Sequence, residues 1–263
     1  VINLPSPLLH RRARPLRLAV AVLFACLLHA CSSGNGAVAQ GGARAELEQC
    51  GQLVLVVGDG WNGSSATLVR YVRTESGWKG VGDPVPVVLG RNGLGWGRGL
   101  HEPSATGPQK REGDGRAPAG LFRITSLFGV AAAKPAEFHM FYQPLSAGVE
   151  CVDDTGSRFY NRTVNAADVE VDWRSSEKMS RVLPFYRWGA NVAHNTSPAV
   201  PGGGSCIFLH IWGGPAVPTS GCTAMAEEQL LDLLRWLDEA KNPMLAQLPR
   251  EEYPRLRAEW GLP

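Results

Sequence analysis

The stretch CIFLHIWGGPAVPTSGCTAM, residues 206–225, constrains this chain more than any other. It starts inside SCIFLHIW (205–212), an apolar run of strand length suited to a sheet covered on both faces. His210 sits near the end of that run, and the Gly/Pro-rich segment GGPAVPTS then leads to Gly221-Cys222. Beyond lies AEEQLLDLLRWLDEAKNP, where Leu230, Leu233, Leu234 and Leu237 recur at i, i+3, i+4 and i+7. The spacing predicts an amphipathic helix over 226–240. Glu227 and Glu228 suit its positive end, Lys241 its negative end, and Asn242-Pro243 stops it. The chain therefore commits to a buried strand, a loop and a helix, with a histidine and a cysteine brought together by the loop.

A thiol attacks carbonyls only as thiolate, and a helix N-terminus and a nearby imidazole both favour that form. Cys222 falls just ahead of the predicted helix, and a stiff strand is a good platform for His210 as a base. Gly221 lets the backbone turn sharply and present N–H groups. The pair at Gly221–Cys222, or at Cys222–Thr223, is placed to hold a developing oxyanion. This is a Cys–His arrangement for acyl transfer, in the chain order His then Cys.

The rest of the chain reads as many short strands, long Gly/Pro-rich connections and few helices. QLVLVVG (52–58) and ATLVRYVR (66–73) flank the turn segment DGWNGSS, a hairpin pattern. VPVVLG (85–90) is a further strand, and the alternation in GLFRITSLFG (120–129) predicts a half-buried one. Asp153-Asp154 reads as a turn in which one carboxylate bonds the backbone, since neighbouring strand residues face opposite ways. Cys206, His210 and Cys222 lack the paired spacing of zinc ligands, so no metal is expected. A net charge of +2 gives no reason to expect nucleic-acid binding.

HIWGGPAVPTSGC resembles the signature of the L,D-transpeptidase (YkuD-like) catalytic domain, a His followed at a distance by Ser/Thr-x-Gly-Cys. REGDGRAPAGLFRI (111–124) resembles that family's D-x-x-T-P-x-G-x-F-x-I segment, with Ala117-Pro118 in place of Thr-Pro. CVDDTGSRFYNRTVN, DWRSSEKM, FYRWGANVAHNTSP and GGGSCIFLHIW resemble a divergent proteobacterial lipoprotein branch of it. By order of motifs the resemblance covers roughly 49–243. Two positions depart from the pattern: Ser220 stands where the family has a second His, and Ala224 where it often has Arg or Asn.

The resemblance implies a mainly β fold with few helices, a β-sandwich-like mixed sheet with a helix following the catalytic Cys. It implies Cys222 as nucleophile and His210 as base, with a backbone carbonyl often serving as third member. Ser220, Gly221 and Thr223 would shape the site or its oxyanion hole, and His194, Trp212 and Gly213 are candidates for a substrate pocket. His194 either stands beside His210 on a neighbouring strand or is structural; Trp188 and Trp212 either line the channel or pack in the core. The implied activity is cross-linking of peptidoglycan stem peptides through a Cys thioester, with no cofactor. Two rivals remain: a hydrolase on the same Cys–His site, and a non-catalytic peptidoglycan-binding lipoprotein. Papain-like peptidases run Cys before His, the reverse of the order here.

Arg11, Arg12, Arg14 and Arg17 precede the short apolar run LAVAVLFACLLHAC (18–31), which reads as a secretory signal. Its end, Leu28-His29-Ala30-Cys31, resembles the lipobox of bacterial lipoproteins, which implies cleavage before Cys31 and a lipid anchor on its thiol. Ser32 implies sorting to the outer membrane, facing the periplasm. The expected organisation is a signal over 1–31, a flexible Gly-rich linker over 32–48 and a catalytic domain over 49–263. Export favours disulfides. With Cys222 kept free, Cys50, Cys151 and Cys206 form at most one pair, and the sequence does not say which.

Overall fold

The computed structural model describes residues 42–263; the signal-like segment, Cys31 and residues 32–41 of the linker lie outside the described residues. The described chain carries strands β1 (Gln52–Gly58), β2 (Ser65–Thr74), β3 (Gly77–Val88), β4 (Leu94–Trp96), β5 (Ala117–Gly129), β6 (Tyr142–Pro144) and β7 (Val149–Cys151). It continues with β8 (Thr163–Asn165), β9 (Glu177–Lys178), β10 (Trp188–Val192), β11 (Phe208–Ile211), β12 (Thr223–Met225) and β13 (Met244–Pro249). The helices are α1 (Ala43–Glu48), α2 (Glu227–Trp236) and α3 (Tyr253–Trp260).

The β1–β2 hairpin forms as its alternation predicts, with Gln52 opposite Val72 and Gly58 opposite Ala66. The main sheet runs β10-β11-β12-β3-β2-β1-β13-β5, and β5 then pairs back onto β10. The sheet thus closes into a barrel rather than splitting into the two layers of the expected sandwich. Closure leaves none of these eight strands with an open edge, which removes the hazard of unpaired backbone groups. The sheet is mixed: β13 runs parallel to β1, and β12 parallel to β11.

Strands β1 and β13 are buried along nearly their whole length, and β5 carries both Leu121 and Phe122 fully buried on opposite faces. The half-buried strand expected over 120–129 is therefore covered on both sides. Helix α2 buries Leu230, Leu233 and Leu234, the stripe read from the sequence, but ends at Trp236 rather than 240. Leu237 leaves the helix in an extended conformation while staying buried. The linker expected over 32–48 stops short. Residues 43–48 are α1, which buries Ala43 and Leu47 and is tied to β5 by Arg123 Nη2 on Glu46 Oε2 at 2.6 Å.

Between β5 and β10 the chain inserts a small sheet in the order β8-β7-β9. A disulfide from Cys151 on β7 to Cys206 ties this insertion to the segment entering β11. Asn161 adds a second tie, donating to the carbonyls of His194 and Asn195 and accepting from Cys206 N. Cys50 is a buried free thiol that donates to Gln52 O at 3.0 Å.

Candidate active site

Strand β11 holds His210 and the parallel strand β12 follows Cys222. The register sets His210 opposite Ala224 and Leu209 opposite Thr223. Side chains alternate across a sheet, so Cys222, two residues before Ala224, faces the same side as His210. Both line a cavity of about 610 Å³ between this end of the barrel and the insertion. Trp212, Gly213, Ser220 and Gly221 line it as well.

The loop before Cys222 is held by one side chain. Thr219 Oγ1 accepts from Gly221 N at 3.1 Å and donates to Cys222 O at 2.6 Å. Its backbone bonds Leu89 O and Arg91 N, which fixes the loop to the end of β3. Because Gly221 N–H is engaged by Thr219, it is not free for an oxyanion, contrary to one of the two expected pairs. Thr223 also differs from expectation: its side chain points to the other face and donates to Gln247 Oε1 at 2.6 Å in the core. Its hydroxyl therefore shapes the fold and not the cavity. Ser220 takes a 3.4 Å hydrogen bond from Arg91 Nη1.

His210 Nδ1 lies 2.7 Å from Ile211 O. A carbonyl only accepts, so Nδ1 carries the proton and Nε2 is left free to take one. Burial pushes the imidazole pKa down to about 4. The Cys222 thiol receives Phe208 N–H at 3.3 Å and lies 3.5 Å from Cys206 O. Burial, and then the charge of Glu177, push its pKa up to about 12. At rest the thiol and the imidazole of this cavity are therefore both neutral. The sequence had placed Cys222 at a helix N-terminus with a lowered pKa; instead β12 intervenes and α2 begins only at Glu227. The field of a helix falls off within its first turn, so it does little for the sulfur.

The remaining expectations divide. His194 does not flank His210, because Gly189 of β10 occupies that register. It lies beyond the end of β10, is 1 % exposed, accepts from Arg98 N and sits 3.0 Å from Gly203 O. It is structural and outside the cavity lining. Trp188 packs edge-on against Phe138 and is likewise outside the cavity. Asp154 accepts from Gly156 N and Arg174 N, as its turn reading requires. Cys206 is consumed by the disulfide, so the zinc set with His210 and Cys222 is not available.

Three further cavity residues were not placed at the site by the sequence. Tyr186 packs its ring edge-on to His210 at 5.2 Å and shares a buried cluster with Cys222. Its hydroxyl donates to Glu177 Oε1 at 2.6 Å. Asp153, read only as a turn residue, lines the same cavity. All three arrive on the insertion, whose packing over the barrel is a tertiary event that local pattern does not encode.

The chain matches no curated relative and no solved structure. The family profile described as the L,D-transpeptidase catalytic domain, YkuD, matches residues 85–245. That span is more than half of the chain and contains His210, Cys222 and the whole insertion. The chain belongs to the L,D-transpeptidase (YkuD) catalytic-domain family.

Proposed function

We propose that this protein is an exported cysteine L,D-transpeptidase acting on peptidoglycan stem peptides, with Cys222 as nucleophile and His210 as base. The observation that carries this reading is the parallel β11–β12 register, which sets both side chains on one face of a cavity within the matched family span.

The steps follow from two neutral partners. As Cys222 Sγ bonds the carbonyl carbon of an L-centre in the donor stem, His210 Nε2 takes the thiol proton. The hydrogen bond to Ile211 O steadies the imidazolium that forms. The tetrahedral intermediate collapses, the C–N bond breaks, and His210 returns the proton to the departing amine, a terminal D-Ala. This leaves a thioester on Cys222. An amine of a second stem then attacks the thioester, His210 accepts its proton, and the thiol is released. With water in place of the amine the same site is a hydrolase.

The test is incubation of the protein with purified disaccharide-peptide muropeptides, read by mass spectrometry. Cross-linked dimers support transpeptidation; trimmed monomers alone assign the hydrolase; no change with intact Cys222 and His210 assigns a non-catalytic role. Export and lipidation at Cys31 belong to the same proposal and rest on residues 11–31. Fatty-acid label on the wild type that is lost in Cys31→Ser supports the anchor, and label retained in Cys31→Ser removes it.

A further inference from the structure

The cavity beside Cys222 holds more negative charge than the chemistry of a cysteine nucleophile asks for. Asp153 and Glu177 both line it. Asp153 Oδ1 is buried and receives no hydrogen bond among the described residues. Among the described residues the Glu177 side chain accepts only the Tyr186 hydroxyl, on Oε1. The two cations nearest Glu177 in sequence are engaged elsewhere: Lys178 Nζ on Glu150 Oε1 at 2.7 Å, and Arg174 Nε on Asp154 Oδ2 at 3.5 Å. Lys110, the cavity's own cation, is held by Asp114 Oδ1 at 2.7 Å and Arg111 O at 2.6 Å. Glu112, the remaining carboxylate of the lining, accepts from Tyr160 Oη. One further acceptor is idle: Ser205 is 8 % exposed, lines the cavity, and its Oγ has no partner among the described residues. A buried polar atom without a partner is rare and costly, and one turned to a cavity points to a ligand.

We infer that Asp153, Glu177 and the Ser205 hydroxyl form a subsite for a protonated primary amine of the substrate, next to the Cys222 thiol. An ammonium has three N–H donors and no acceptor, and this group offers two carboxylates and a hydroxyl oxygen. For the identity of the ligand the inference rests on the proposed function: the diamino-acid residue of a stem peptide carries such an amine. The charge pattern gives the subsite a second effect. Burial, and then the charge of Asp153, raise the pKa of Glu177; burial, and then the charge of Glu177, raise that of Cys222. A bound ammonium cancels that field, so occupation of the subsite favours the thiolate at the moment substrate is present.

The test compares two thiol reagents of opposite charge on the full chain at pH 7 and low salt. 2-Aminoethyl and 2-sulfonatoethyl methanethiosulfonate each transfer their alkylthio group to the same thiolate and release methanesulfinate. Their rate ratio at Cys222, read by peptide mapping, therefore cancels the thiolate fraction. The subsite predicts the cationic reagent faster by about tenfold or more, because the acidic lining concentrates cations. In the Asp153→Asn, Glu177→Gln double variant the ratio falls to within about twofold. A ratio near one in the wild type, or one unchanged in the double variant, overturns the subsite. Should the double variant expose Cys50, the buried internal control, the single variants are read by the same criterion. A second arm offers stem peptides with the side-chain amine free or acetylated. If the reagent ratio holds while neither peptide is turned over, the subsite stands and the proposed function falls. If the acetylated peptide is turned over as fast as the free one by the wild type, the amine is not what the subsite takes.

Discussion

Cys222 and His210 are each driven by burial toward the uncharged form, the thiol to about 12 and the imidazole to about 4. The sign of the pH dependence follows. Between pH 6 and 9 the resting thiol lies far below its pKa, so its thiolate fraction rises about tenfold per pH unit. Alkylation of Cys222 by iodoacetamide should climb across that range without levelling; a plateau near neutrality would mean a preformed thiolate–imidazolium pair. His210 stays neutral down to about pH 4, so the acid limb of kcat/KM should fall near there rather than near 6.5. His210→Gln should lower turnover by about 10²–10⁴-fold while Cys222→Ala abolishes it, since the glutamine amide cannot relay a proton. Turnover of His210→Gln within a few-fold of wild type would move the base elsewhere.

The strand, the loop and the helix around the site were legible because each follows a local rule. The apolar run fixed β11, the Gly/Pro segment fixed the loop, and the leucine stripe fixed α2. What local rules did not give was β12, three residues that pair with β11 and push α2 away from Cys222. A strand this short has no periodicity to read. The partner of Cys206 was also hidden, because it is set by how the insertion folds back and not by spacing. Removing the disulfide with Cys151→Ala and Cys206→Ala should cost about 2–4 kcal/mol in denaturant unfolding. Since Cys206 O and the insertion residue Tyr186 both approach Cys222, acylation of Cys222 by a carbapenem should slow in the same variant. An unchanged acylation rate would mean that the insertion does not shape the site.

Residues 42–263 form a closed barrel with His210 and Cys222 at one end and an inserted sheet over them. A mainly β chain was legible from the many short strands, but closure was not, because it depends on β10 meeting β5 across 59 positions of chain, from Gly129 to Trp188. The barrel and the site are joined through Thr223, which follows Cys222 and bonds Gln247 of β13, which in turn donates to Pro118 O of β5. Thr223→Val leaves that buried amide short of a partner and should cost about 1–3 kcal/mol of stability. No loss of stability would mean the amide finds another donor. In the proposed function Cys222 carries the acyl group of a peptidoglycan stem. The most direct measurement is intact mass of the protein quenched in acid during turnover of a disaccharide-tetrapeptide, followed by peptide mapping. A single adduct equal to the donor acyl group after loss of D-Ala is expected on the peptide containing TSGCTAM, and none in Cys222→Ala. An adduct on another residue, or turnover that persists in Cys222→Ala, would contradict it.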